Sequence, residues 1–366
     1  MYMKTNYKLV GSWALPATIT ENHFKFKSLS NWALNVAVGC GHGCRFCYVP
    51  SASAIKLSGK LSKLGVADPD SEWGRYVFVR QWDEKRFLAS LSHAEKTPVE
   101  ELSADGNRAI ILCSTTDPYM VLADREMNSR LRFIVRRSLE LILEHSSLNV
   151  RILTRGPAAR LDLDLFKKFG NRLLFGMSLP TLNPTLARLY EPDAPAPMRR
   201  LETMQLIRAA GVNVFVAMAP TPPECDPVDL RRTLAKISEL DPVTVFHEPI
   251  NLRAENVERI RTHAVSLGCE SLLKAGVFST RDSWRSYAIE SLRSVEHLAA
   301  EAGLGDRLHL WPDATLGSKL SCAQQHDPSD FRAWLDLCWN RISEWPGREK
   351  ESQVLMRHGL SALIPH

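Results

Sequence analysis

Short apolar or β-branched runs recur along the chain and alternate with longer stretches of amphipathic spacing. Six of them read as strands: LNVAVGC (34–40), RAIILCST (108–115), NVRILTR (149–155), LLFGMSLP (173–180), NVFVAMAP (213–220) and VTVFHEPI (243–250). Runs this continuously apolar, set between amphipathic helices, predict parallel strands buried on both faces. LETMQLIRAAG (201–211) carries apolar residues at helical spacing and stops at Gly211, and DLRRTLAKISEL (229–240) follows Pro227. The predicted fold class is α/β: a parallel, TIM-like β/α barrel, partial or complete. An open dinucleotide-binding sheet fits less well, because no Gly-rich phosphate loop follows the first run.

In such barrels the chemistry sits where strands end and loops begin. The unusual polar residues cluster there: 39–48 after the first run, 114–119 after the second, Ser178 in the fourth and 247–251 at the close of the sixth. From about residue 271 the rhythm changes to helical stretches, a short run RLHLWPD and a tail with Trp334, Trp339 and Trp345. The expected organisation is an N-terminal segment (1–30), a barrel domain (31–270) and a mainly helical C-terminal extension (271–366) packed on it. No internal repeat or low-complexity stretch is visible.

Composition narrows the class. With 45% hydrophobic and 24% charged residues the chain is of ordinary globular type. It contains no apolar run of about eighteen residues, so no membrane span is expected. The N-terminus lacks the apolar core of a secretory signal. Eight cysteines without a signal read as reduced thiols or metal ligands, which points to the cytoplasm. A net charge of +5 and a pI near 8.7 permit a nucleic-acid partner without demanding one. The arginines of RLRFIVRR (130–137) read as a solvated helix face rather than a phosphate track.

The candidate chemistry lies in Cys40-Gly-His-Gly-Cys44-Arg-Phe-Cys47-Tyr48. Thiolates are soft ligands suited to iron–sulfur clusters. Gly41 and Gly43 in the first gap let one loop wrap around a cube corner. Only three ligands are offered locally, which leaves one iron open as a binding position, the logic that separates catalytic from structural zinc sites. A zinc knuckle is the competing reading, with His42 as its local fourth ligand, awkwardly placed inside the loop.

This CxxxCxxC spacing, with an aromatic before the third cysteine, resembles the radical S-adenosylmethionine (SAM) superfamily motif. The resemblance implies a [4Fe-4S] cluster on Cys40, Cys44 and Cys47 whose open iron chelates SAM. It also implies reductive SAM cleavage to start radical chemistry on a substrate, an electron donor such as flavodoxin or ferredoxin, and Phe46 beside the adenine. GCGHGCRFCYVP, WGRYVFVR (73–80), STTDPYM (114–120), MSLPTL (177–182), YEPDAPAPMRR (190–200) and FHEPIN (246–251) together resemble the spore photoproduct lyase-like, or DNA repair photolyase, group over roughly residues 30–315.

By this resemblance the loop with Thr115, Thr116 and Asp117 binds the SAM amino group; an Asp-Pro turn is the plainer reading. Ser178 reaches the ribose hydroxyls or is an inward-facing small residue. Glu191 with Arg199 or Arg200 suits the SAM carboxylate. His247 and Glu248 are either site residues or a structural couple. Cys113 is the one catalytic candidate. Spore photoproduct lyases use a cysteine near the end of this strand as hydrogen-atom donor. Here the matching position is Ser114, and an offset of one turns Cys113 to the opposite face, as a core thiol. Cys225, Cys269, Cys322 and Cys338 read as structural. Two alternatives stay open: repair of a thymine lesion in DNA, and a non-catalytic Fe-S or zinc protein that binds nucleic acid.

Overall fold

A computed structural model describes residues 9–22, 30–98, 101–102, 108–253, 255–313 and 316. The tryptophan-rich tail, Cys322 and Cys338 lie outside the described residues. Eleven strands form two sheets: β1 (Leu9–Pro16), β2 (Ile19–Glu21), β3 (Trp32–Leu34), β4 (Ala37–Gly39), β5 (Tyr76–Gln81), β6 (Ala109–Leu112), β7 (Asn149–Thr154), β8 (Leu173–Ser178), β9 (Val214–Thr221), β10 (Thr244–Pro249) and β11 (Leu308–Leu310). The larger sheet has the order β11-β10-β9-β8-β7-β6-β3-β2. All of its strands run parallel except β2, which pairs antiparallel to β3 at the edge. Its hydrogen-bonded order is open at both ends among the described residues, so a mixed α/β architecture with a parallel sheet is realised without a closed ring. The smaller sheet is β1-β5-β4.

The helices are α1 (Val49–Ala52), α2 (Ser58–Ser62), α3 (Glu84–Lys96), α4 (Arg125–His145), α5 (Leu163–Phe169), α6 (Pro184–Tyr190), α7 (Pro197–Ala209), α8 (Pro227–Ser238), α9 (Asn256–Ser266) and α10 (Arg281–Glu301). Their starts follow from local chemistry. Asp83, Asp124, Asp226 and Thr280 each cap a helix by accepting from a main-chain amide in its first turn. Helix α4 buries Met127, Leu131, Ile134, Val135, Leu139 and Ile142, one stripe at helical spacing. Its arginines are ion-paired on the outside: Arg136 to Asp162 and Asp164, Arg137 to Glu84, Arg130 to Glu126. The expectation of a solvated face is met there.

The larger sheet is buried on both faces, and its period-two alternation sorts the side chains. Leu173, Phe175, Met177, Val214, Val216 and Val245 join the large core beneath the helices. Their neighbours Leu174, Phe215 and Phe246 join Ala33, Ile111 and Trp311 in a separate inner cluster. Phe246 and Trp311 stack there at 4.3 Å. Gly176 makes room for this cluster, since a Cβ on it would lie 2.2 Å from the Phe215 ring.

Three sequence expectations are corrected. LNVAVGC is not one strand. It breaks at Asn35 and Val36, so that β3 belongs to the large sheet and β4 to the small one. The second run ends as a strand at Leu112, because Cys113 has φ 68° and leaves the extended region. And the large sheet does not stop at residue 270: β11 pairs with β10, while α10 packs on β10 and α8. No helix among the described residues is long and apolar enough to cross a membrane.

The inner cluster makes a direct prediction. Gly176→Ala is expected to destabilise the fold by about 1–3 kcal/mol through overpacking against Phe215. A urea melt reads this as a lower midpoint at unchanged slope, and Phe215→Leu on the same background is expected to recover part of the loss. An unchanged midpoint in Gly176→Ala would contradict the packing described here.

Candidate active site

The cysteine loop follows β4 and is held almost wholly through its main chain. Arg45 N donates to the Tyr190 carbonyl at 2.9 Å. Arg259 donates from Nε to the Arg45 carbonyl at 3.2 Å and from Nη2 to the Cys47 carbonyl, while pairing with buried Asp70. Asn256 Nδ2 donates to the Phe46 carbonyl at 3.4 Å. Gly43 and Gly74, both at positive φ, pack backbone to backbone; a Cβ on Gly74 would lie 2.5 Å from the Gly43 Cα. With the backbone so occupied, the three thiols face a common cavity of about 200 Å³. Burial pushes all three thiols up, Cys44 to about 12, with Arg155 partly opposing the shift at Cys44.

The cavity lies across the C-terminal ends of the parallel strands. Register explains which side chains reach it. Ser178 stands opposite Ala217, and Leu153 opposite Gly176, in line with the inner cluster. Glu248 shares the face of Phe246 and lines the cavity. His247, one residue earlier, faces the other way. Its Nδ1 lies 3.1 Å from the Met218 carbonyl and its Nε2 3.4 Å from Ser291 Oγ on α10, and burial lowers its pKa to about 4. His247 is therefore a neutral structural residue beneath a helix, and the sequence pairing of His247 with Glu248 separates across the sheet.

The loop after β6 is organised by Asp117. Its Oδ1 accepts from Tyr119 N at 2.8 Å and Thr154 Oγ1 at 2.6 Å; its Oδ2 accepts from Arg155 N at 2.8 Å and lies 3.2 Å from His42 Nε2. Thr115 Oγ1 donates to Asn35 Oδ1 and Thr116 Oγ1 to the Gly39 carbonyl. The carboxylate and hydroxyls of this loop are thus committed inside the protein. Among the described residues the carbonyls of Ser114, Thr115 and Thr116 accept no hydrogen bond, so these remain for a ligand.

Glu191 is fully buried between two arginines. Its Oε2 accepts from Arg200 Nη1 at 2.8 Å and its Oε1 from Arg155 Nε. Burial raises its carboxyl, but Arg200 and Arg155 outweigh this and hold it below the usual carboxylate range. Arg200 also reaches the carbonyls of Pro195 and Ser178. Neither Glu191 nor Arg200 lines the cavity, and Arg199 is exposed on α7. Two arginines that sequence reasoning missed do line it: Arg253, which is paired with Asp313, and Arg155. The Arg155 guanidinium lies 5.6 Å from the Phe46 ring centre, and among the described residues only its Nε is hydrogen-bonded. A cation directly after an apolar strand was the available signal.

Cys113 borders the cavity, but its side chain joins the large core with Val36, Leu112 and Met120, buried and pushed up by desolvation, in keeping with a core thiol. The positive φ at Cys113 nonetheless breaks the alternation on which the expectation of a core thiol rested. Phe46, Thr115, Thr116, Asp117, Ser178 and Glu248 line the same cavity, together with His42, Asn251 and the unforeseen Asn256 and Trp311.

Asp117 sets a pH dependence. Burial alone would raise its carboxyl; His42, Thr154 and the Arg155 amide outweigh this and lower it from 3.8 to about 2. Such a group stabilises the fold above its unfolded value, and the contribution is lost as pH falls through the folded one. Asp117→Asn is expected to cost about 2 kcal/mol at neutral pH. The gap to the unaltered protein is expected to narrow on acidification from about pH 4 to about pH 2 in urea melts of metal-free protein. A gap that stays constant across this window would refute the assignment.

The family model of the radical SAM superfamily matches residues 34–237. An uncharacterised protein of Acidianus two-tailed virus is 30% identical over 252 residues, spanning 67% of this chain and 76% of that protein. An uncharacterised protein of Mycobacterium tuberculosis is 25% identical over 220 residues, spanning 59% of this chain but only 53% of that protein. Among solved structures, a spore photoproduct lyase mutant superposes with a TM-score of 0.55 at 12% identity, covering 82% of this chain and 80% of that chain. Spore photoproduct lyase complexed with dinucleoside spore photoproduct gives 0.52 at 13% identity, covering 80% and 79%. These structural likenesses concern the fold. The family match spans more than half of the sequence and includes the cysteine loop and the ends of β6 to β9, and on that basis the chain belongs to the radical SAM superfamily of enzymes, which work with SAM and a [4Fe-4S] cluster.

Proposed function

We propose that Cys40, Cys44 and Cys47 hold the [4Fe-4S] cluster and that SAM binds beside it, between Phe46, Arg155, Ser178 and the 114–116 carbonyls. The observation that carries this reading is the meeting of three thiols and one free cationic fork in a single cavity. The donor set suits a cube. Among the described residues no three His, Cys, Asp or Glu side chains converge on one metal ion. A cube asks for separate thiolates on separate irons.

When bound, the cluster and SAM supply a carbon radical that abstracts hydrogen from the substrate. The chain's own residues bind and orient. Arg155 offers its terminal guanidinium nitrogens to a carboxylate, in the bidentate manner that arginine favours. Glu191 holds its Nε and fixes the fork. The carbonyls of residues 114–116 suit an ammonium group, and Ser178 Oγ, which donates to the Ala219 carbonyl at 3.1 Å, keeps its lone pairs for a ribose hydroxyl. Leu153, Ala217, Ala219 and Pro249 give the cavity its apolar wall and exclude water.

The lesion-repair alternative, with DNA as its substrate, requires a thiol that faces the cluster and returns a hydrogen atom to the substrate radical. Cys113 borders the cavity with its side chain in the large core, which makes this the second reading. Loss of product but retention of SAM cleavage in Cys113→Ala would support this reading. Normal product would exclude it.

Anaerobic reconstitution tests the main proposal. Cys40→Ala, Cys44→Ala and Cys47→Ala are each expected to lose the brown absorbance of the cluster and the release of 5′-deoxyadenosine. Arg155→Gln is expected to keep its iron and to bind SAM roughly tenfold to a hundredfold more weakly. Unchanged iron in all three cysteine variants would overturn the cluster assignment, and unchanged SAM affinity in Arg155→Gln would overturn the carboxylate assignment.

A further inference from the structure

Trp73 opens the run WGRYVFVR, which none of the chemistry above uses, and it stands against the third cysteine. It is 2% exposed and shares an apolar cluster with Trp13, Tyr76 and Phe78, on which Cys47 packs. Trp73 and Cys47 also line the same cavity. The indole N–H of Trp73 donates to the Cys47 sulfur, as does the amide of Val49. The Cys40 sulfur accepts from the His42 amide, and Cys44 lies in the field of the Arg155 guanidinium.

The turn that carries Trp73 is built to hold the indole there. Trp73 N donates to the Asp70 carbonyl at 3.1 Å, and Glu72 Oε1 accepts from the amides of Ala67 and Asp68. Gly74, at positive φ, packs on Gly43 of the cysteine loop. Tyr76 meets the indole edge to face with ring centres 5.9 Å apart, and its hydroxyl donates to the Pro69 carbonyl at 3.1 Å. Asp70 of the same turn pairs with Arg259, which holds the Cys47 carbonyl. The turn therefore bears on Cys47 twice, through Arg259 at its carbonyl and through the indole at its sulfur. Trp13 makes the contrast. It is 3% exposed in the same apolar cluster, yet its Nε1 has no hydrogen-bond partner. Burying an indole N–H costs free energy unless a partner is found, and for Trp73 that partner is a ligand sulfur.

We propose that Trp73 sets the reduction potential of the cluster, an inference that rests on the assignment of the cluster to Cys40, Cys44 and Cys47. One-electron reduction adds negative charge, which an iron–sulfur cluster shares with its thiolate ligands. An N–H aimed at a ligand sulfur stabilises that charge, so it favours the reduced state and raises the potential. The apolar shell of Trp13, Tyr76 and Phe78 acts in the opposite sense, because low polarity disfavours the more highly charged state. The same shell keeps the indole bond strong, since little water competes for it.

The test compares Trp73→Phe with Trp13→Phe in anaerobically reconstituted holoenzyme. Each is titrated with dithionite against mediator dyes and read by electron paramagnetic resonance of the reduced cluster. Trp73→Phe is expected to keep its iron. At a fixed applied potential its ratio of reduced to oxidised cluster is expected to fall roughly threefold to tenfold. That is a move of about 30–60 mV to lower potential, at about 59 mV per tenfold for one electron. Trp13→Phe removes an indole from the same apolar cluster but no bond to sulfur, and is expected to leave the potential as it was. A second measurement keeps Trp73 in place. Holoenzyme with isotopically labelled indole nitrogens is expected to show a coupling of that nitrogen to the reduced cluster in pulsed resonance, and Trp13→Phe is expected to retain it. An unchanged potential in Trp73→Phe, or an equal shift in Trp13→Phe, overturns the proposal. Where Trp73→Phe does not hold its iron the coupling decides, and its absence overturns the proposal. Reconstituted unaltered protein that holds no iron counts against the proposed function itself, and the role of Trp73 falls with it.

Discussion

Two buried carboxylates converge on Arg155, and the geometry of the cavity depends on that convergence. Asp117 takes its main-chain amide and Glu191 its side-chain Nε. Through Asp117 the residue is tied to the loop after β6 and to His42 in the cysteine loop; through Glu191 it is tied to Arg200, which reaches the end of β8. Ion pairs taken out of water contribute little net stability, since desolvation offsets the attraction. What they confer here is a single arrangement, because removal of Glu191 strands the charges of Arg155 and Arg200 in the interior at a cost of about 3–5 kcal/mol.

The cysteine loop follows a complementary principle. Its main chain is bonded from three sides, by Arg259, Asn256 and Tyr190, and its side chains are left to the cavity. A loop fixed by its backbone can place three sulfurs without using them to hold itself together. The strand ends supply the opposite wall, with Ser178 and Ala217 set by the register of adjacent parallel strands and Glu248 at the irregularity between His247 and Pro249.

Much of this was legible in the sequence. The apolar runs mark four of the six expected strands to within two residues, and the cysteine spacing marks the loop. The failures have local causes. Asn35, a polar residue inside an apolar run, is where the first strand changes sheets. Alternation was extended through Cys113, whose backbone conformation no residue pattern announces. His247 and Glu248 were read as a pair because they are adjacent, though neighbours on a strand face apart. Arg199 and Arg200 are equally adjacent, and only burial, which depends on how α7 sits, tells them apart. Asp117 was singled out correctly but as a ligand; its role as an anchor rests on Thr154 and His42, both remote in sequence.

The contact between Gly43 and Gly74 has a consequence in evolutionary terms. Each glycine occupies the space where the other's side chain would stand, at a backbone angle that disfavours any substitution. A side chain acquired at one position lifts the loop off β5 whatever stands at the other, so mutation at either site cannot drift freely. Each of the two positions, thirty-one residues apart in sequence, is therefore confined to glycine for as long as this contact persists.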